Sequence, residues 1–144
     1  MHTVLIPVMC SLRLNVEYRY SGPVRGDSYM KKVALFAFNG ESMCFIHVLL
    51  NALDMKERAY DVRIVIEGSA TKLVAELAKG DNPFSGLYEK AKGLGLIDGA
   101  CKACSNKMGV LSDIEAHGIK LLGEMTGHPG MARYLEEGYE VITF

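Results

Sequence analysis

Four cysteines and four histidines are the residues of this chain best suited to chemistry, and two of the cysteines, Cys101 and Cys104, stand three positions apart. That spacing allows a disulfide, a relay of sulfur between two thiols, or half of a soft-metal site. Leu96 to Cys101 reads as a short strand. Lys102 to Met108 reads as a helix stopped by Gly109, so Cys101 falls where strand becomes helix. Unpaired N–H groups and the helix dipole at such a junction favour an anion and lower a thiol's pKa. Lys102 and Lys107 add positive charge to the same segment. Cys101 is therefore the expected working centre and Cys104 its partner, against the plain alternative of a buried structural cysteine.

A second group lies far upstream. Cys44, His47 and Asn51 recur at i, i+3 and i+7, a polar stripe on an otherwise apolar helix. As an ordinary helix face it needs no function. Packed against the Cys101 loop, Cys44 and His47 would join Cys101 and Cys104 as four soft ligands of the zinc kind. His128, just before Pro129, reads as a helix cap, or as a group that binds an anionic sulfur compound or tunes the thiol. Glu41 and Glu67, each following a strand, read as solvated or capping residues. His2 and His117 carry no signal.

The elements that must position these residues alternate strictly from Met30 onward. Val33 to Phe38 is an apolar run of the kind found in a buried parallel strand, ended by Asn39-Gly40. A helix follows over Ser42 to Arg58, with Ile46, Leu49, Leu50 and Leu53 at core spacing. Asp61 to Glu67 is the second strand, and the next helix carries Leu73, Val74 and Leu77. Asn82-Pro83 opens another helix, with an N-cap followed by proline at the first helical position. After the strand and helix around Cys101, Ser112-Asp113-Ile114-Glu115 has capping-box form. Ile119 to Leu122 is the fourth strand, Pro129 to Glu137 a helix, and Tyr139 to Phe144 the fifth strand. Such alternation predicts a single three-layer α/β domain over residues 30–144, a mainly parallel five-stranded sheet with flavodoxin-like order 2-1-3-4-5. Strands 1, 3 and 4 would then be neighbours, and the loops bearing Cys44, Cys101 and His128 would converge.

Residues 1–29 stand apart from this pattern. Thr3 to Val8 and Leu12 to Tyr20 have β-type composition, which fits an added hairpin or an oligomerisation arm. The alternative is that translation starts at Met30. Met1 to Cys10 lacks the basic region and cleavage site of a signal peptide.

Composition narrows the classes further. The chain has 144 residues, 49% hydrophobic and 23% charged, with 16 basic and 17 acidic residues intermixed. One domain with a substantial core is expected. Without a basic stripe, nucleic acid is not an expected partner. No apolar run approaches the roughly 20 residues of a membrane span. Few cysteines for this length fit reduced thiols in the cytoplasm. No GxGxxG or GxxxxGK[ST] occurs, so dinucleotides and nucleoside triphosphates lack their phosphate cradles. Glu41 occupies the loop where flavodoxins hold the flavin phosphate, which disfavours that cofactor.

On these residues the segment from Met30 to Phe144 resembles the DsrE/DsrF-like family of small sulfur-relay proteins. The likeness lies in the opening strand and long helix, Ile64-Val65-Ile66-Glu67-Gly68, Cys101-Lys102-Ala103-Cys104 leading to Met108-Gly109-Val110, and Glu140-Val141-Ile142-Thr143-Phe144. Gly127-His128-Pro129 and Met43-Cys44-Phe45 are closest to an uncharacterised cytoplasmic branch. The resemblance implies a flavodoxin-like fold, oligomers, and a sulfur carrier or sulfurtransferase that holds a persulfide on Cys101. Partner proteins would act as donor and acceptor, with no resident cofactor. Cys104 or Cys44 would resolve or relay the sulfur, with His47, Lys102, Lys107 and His128 in support. The paired cysteines and residues 1–29 depart from the family pattern. The readings from other classes are a metal or small-ligand module on Cys44, His47, Cys101 and Cys104, and a non-catalytic oligomeric scaffold.

Overall fold

Two apolar runs form the middle of the sheet. Strand β1 (Lys32–Ala37) buries every residue after its first, and β2 (Asp61–Ile66) buries Val62, Ile64, Val65 and Ile66. Strands buried on both faces must have helices above and below them, and the run of Val, Ile and Leu without polar alternation reflects this. Three shorter strands complete the sheet: β3 (Ile97–Cys101), β4 (Leu121–Leu122) and β5 (Glu140–Thr143). These belong to a computed structural model that describes residues 30–144. The expected N-terminal hairpin or arm, and Cys10, lie outside the described residues.

Every pairing in the sheet is parallel, and the strand order is β4-β3-β2-β1-β5. The α/β class and the parallel sheet are as the alternation predicts. The strand order is not: β3 pairs with β2, and β1 is flanked by β2 and β5. The physical reason is burial. A strand as apolar as β2 needs a neighbour on each side, whereas the expected order leaves it at an edge. β5, with Glu140, Ile142 and Thr143 exposed, tolerates the edge instead.

Helices α1 (Ser42–Glu57), α2 (Lys72–Ala78), α3 (Ser85–Gly93) and α5 (Leu111–Ala116) cover one face. There Phe45, Leu49, Leu73, Leu77, Tyr88 and Ile114 pack on Leu35 and Ile64. Each such side chain contributes about 1.5–3 kcal/mol by leaving water. The other face is smaller. Helix α6 (Met131–Glu136) lays Tyr134 against Phe36, Val65 and Leu122, with the Phe36 and Tyr134 rings edge-to-face at 5.3 Å. A short helix α4 (Lys102–Lys107) follows β3 directly.

This distribution locates a crevice. The chain passes from β3 to β4 by way of α5 on the larger face, then from β4 to β5 by way of α6 on the smaller one. Connections that leave adjacent strands on opposite faces open a cleft at their carboxyl ends. Before those ends the two strands approach closely, since a Cβ on Gly99 would lie 2.6 Å from the Lys120 carbonyl oxygen.

Candidate functional site

The carboxyl ends of β2, β3 and β4 bring four polar side chains together. β3 delivers Cys101, whose backbone (φ −60°, ψ 119°) is the N-cap of α4 and whose Sγ accepts the Cys104 N–H at 3.3 Å. Ser105 anchors the turn by donating its hydroxyl to the Cys101 carbonyl at 2.7 Å. Cys104, one turn on, is partly exposed, while Cys101 is fully buried. Both thiols are free.

The segment after β4 supplies His128 through a tight hairpin. Met125 and His128 exchange two backbone hydrogen bonds at 2.8 and 2.9 Å around Thr126 (φ 51°) and Gly127 (φ 89°). Two successive positive φ angles make a primed turn, which suits Gly127 but strains a β-branched threonine. The turn docks on α4, because the Gly127 carbonyl accepts the Ala103 N–H at 2.8 Å. It places His128 Nδ1 3.2 Å from Cys101 Sγ and 3.9 Å from Cys104 Sγ. Pairing of the helix-start kind begins only at Met131, so His128 belongs to this hairpin and does not cap α6.

Glu67 completes the group, and the sequence reading missed it. It leaves the end of β2 next to Gly68, whose φ of 52° turns the chain sharply against the Phe38 carbonyl. Its carboxylate lies 4.0 Å from His128 Nδ1, with the side chain only 8% exposed. A charged residue ending an apolar strand looks solvated in sequence; only pairing of β2 with β3 carries it to the cysteines. The ligand atoms of Glu67, Cys101, Cys104 and His128 all lie within 4.8 Å of one another.

The electrostatics follow from burial. Loss of water pushes the Cys101 thiol up to about 12; the Cys104 N–H pulls the other way, and Cys104 and Glu67 push it higher. Burial likewise raises Glu67 above the usual carboxylate range, with His128 opposing the shift. The junction alone therefore does not make Cys101 a free thiolate. A proton or a cation must be shared within the cluster for its anions to form.

Four expected supports are placed elsewhere. Cys44 and His47 are exposed on α1: Cys44 Sγ accepts from Asn39 Nδ2 at 3.6 Å, and the Asn51 side chain donates to the His47 carbonyl at 2.7 Å. The stripe is a solvated helix face, since the apolar residues between its members claim the side toward the sheet. The ligand set Cys44, His47, Cys101 and Cys104 is thus replaced by one in which Glu67 and His128 join the two loop cysteines. Lys107 sits in the last turn of α4, the end away from Cys101. Lys102 is exposed and lines a cleft of about 510 Å³ with Ala103, Asn106, Leu111, Gly123 and Gly127, along the outer side of α4.

Over 97 residues the chain is 31% identical to the uncharacterised protein MJ0733 of Methanocaldococcus jannaschii, covering 67% of this chain and 77% of that protein. The chain belongs to the MJ0733 family. An uncharacterised protein of Archaeoglobus fulgidus is 40% identical over 50 residues, 35% of this chain and 82% of its own length. No family model matches the chain. Among solved structures, a conserved protein of unknown function from Bacteroides thetaiotaomicron, BT1422, aligns with TM-score 0.56 and 24% identity over 77% of this chain and 94% of that one. That likeness concerns the fold alone. Within this MJ0733-family chain, no helix of the described residues is long and apolar enough to cross a membrane.

Proposed function

We propose that this protein is a sulfur carrier of DsrE/DsrF-like type, which takes sulfane sulfur onto its CxxC pair and holds it as a persulfide on Cys101. The observation that carries the reading is the pair of free thiols beside one imidazole, with Cys104 open to solvent and Cys101 closed beneath it. Cys104 attacks the outer sulfur of a donor persulfide; the donor S–S bond breaks, the donor leaves as a thiol, and Cys104 carries S–SH. Cys101, with Sγ within 4.8 Å, then takes that outer sulfur and returns Cys104 to the thiol. His128 Nδ1 accepts and returns the proton in each exchange. No net oxidant is consumed.

Donor and acceptor proteins, a cytoplasmic setting and self-association belong to the same reading. The open edge strand β5 and the exposed Leu135 and Ile142 offer surface for a second copy. The test is intact mass after incubation of chelator-treated, reduced protein, with Cys10 and Cys44 replaced by serine throughout, with a sulfane sulfur donor. One sulfur atom adds about 32 Da as a persulfide. Trypsin cuts after Lys102 and so separates the two cysteines. The extra sulfur is expected on the Cys101 peptide in the parent, on Cys104 in Cys101→Ser, and nowhere in Cys104→Ser. An unmodified parent, or uptake indifferent to Cys104→Ser, would overturn the proposal.

A further inference from the structure

We propose that Glu67, Cys101, Cys104 and His128 form a binding site for one tetrahedral divalent cation of the zinc class. Three features argue for it together. First, all the close approaches converge on one side of one ring: the same Nδ1 of His128 faces Cys101 Sγ at 3.2 Å, Cys104 Sγ at 3.9 Å and Glu67 Oε2 at 4.0 Å. Here a single nitrogen faces two sulfurs and a carboxylate oxygen, and it can form a hydrogen bond with only one of them at a time. A cation at the centre can serve all four.

Second, Glu67 is more than nine-tenths buried, yet among the described residues its carboxylate accepts no hydrogen bond and meets no lysine or arginine. The nearest group able to carry positive charge is His128, at the outer limit of an ion pair, while Glu124 sets a second carboxylate against it. Buried carboxylates are ordinarily paired or bound to metal.

Third, the spacings suit the ion. Ligand atoms at zinc bond lengths in a tetrahedron stand roughly 3.3–3.8 Å apart. The distances of 3.2, 3.9 and 4.0 Å straddle that range, and all pairs lie within 4.8 Å. Two sulfurs, one imidazole nitrogen and one carboxylate oxygen make a donor set that favours zinc over magnesium or calcium. The ligands come from the ends of β2, β3 and β4, three strands the sheet order makes successive neighbours. On binding, each thiol releases its proton to solvent, the sulfurs donate electron pairs to the metal, and nothing is oxidised.

This site does not depend on sulfur carriage. Metal occupies both thiols and sulfur loading needs them free, so an occupied site would shut the carrier off. The test uses the full chain with Cys10→Ser and Cys44→Ser, titrated under reducing conditions with cobalt(II) alone and then zinc(II) alone. One cobalt per chain is expected, with the intense visible bands of a four-coordinate ion and thiolate-to-cobalt charge transfer, both erased by one equivalent of zinc. Glu67→Gln and His128→Asn should each weaken binding at least about tenfold. Cys104→Ser should weaken binding and leave at most the single-thiolate band of Cys101 in any complex that still forms, with unchanged far-ultraviolet circular dichroism showing that the fold persists. A six-coordinate spectrum, substoichiometric binding, or affinity indifferent to Glu67→Gln and His128→Asn would overturn the site. Those outcomes leave the mass test of sulfur uptake untouched, and failure of sulfur uptake leaves the metal titration untouched.

Discussion

Two groups of sulfur and nitrogen ligands occupy this molecule, and they differ in everything but composition. Cys44 and His47 ride on the outside of α1, where Cys44 Sγ accepts from the Asn39 amide and the His47 side chain is exposed. Cys101, Cys104, His128 and Glu67 stand at the ends of three strands and contact one another, with Cys101 and Glu67 buried and Cys104 and His128 partly open. On a helix, residues at i and i+3 share a face whatever lies opposite, so such a pair implies nothing about a third partner. Residues at successive strand ends are held by the sheet itself. The comparison shows that soft ligands become a site when separate elements aim them at a common point.

The sharpest way to break the comparison is alkylation of the reduced, metal-free protein at pH 8, mapped by mass. Cys44 is open, whereas Cys101 is buried with its thiol pushed up to about 12. At that pH its thiolate fraction is roughly a thousandfold or more below that of an ordinary thiol. Cys44 should therefore label first, Cys104 next and Cys101 last by that margin. Equal rates at Cys44 and Cys101 would erase the distinction between the two groups.

A smaller effect separates Glu67 from the exposed Glu41 at the start of α1. Burial raises the Glu67 pKa in the folded chain, so the protonated form is the one folding favours. The stability linked to it is full below the unfolded value of about 4.3 and is lost as pH rises through the raised folded pKa. Without metal, Glu67→Gln should flatten that fall in melting temperature, leaving the variant ahead of the parent at neutral pH. Glu41→Gln, on the exposed start of α1, is the control substitution. A parent that gains stability relative to Glu67→Gln as pH rises would reverse the sign and place a cation beside Glu67 even without added metal.

The smallest effect concerns the hairpin that aims His128. Thr126 holds a left-handed conformation that a β-branched residue resists. Thr126→Asn should stabilise the protein by about 0.5–1 kcal/mol in urea unfolding while leaving cobalt affinity intact. Destabilisation would mean that the threonine side chain supports the turn.

Much of this architecture is legible in the residues alone. Apolar runs of strand length and helical periodicities of core spacing reveal the alternating elements, because each period follows from the local geometry of its own backbone. The same local signals put Cys101 at the end of β3 and Cys104 one turn into α4. The boundaries blur where tertiary contacts intervene: the last helix begins at Met131 rather than Pro129, since the Met125–His128 hairpin claims the residues before it.

What local pattern does not contain is which strand lies beside which. Pairing β3 with β2 rather than β1 depends on burying both faces of β2 and on the return of the chain to β5 at the far edge. That choice decided the site. It carried Glu67, unremarkable in sequence, to within 4.0 Å of His128, and it left the cysteine and histidine of α1 in water. The sequence by itself determined the elements and the CxxC at their junction, because these obey short-range geometry. Only the tertiary structure decided the companions of that motif, because long-range packing, not spacing, sets which strand ends meet.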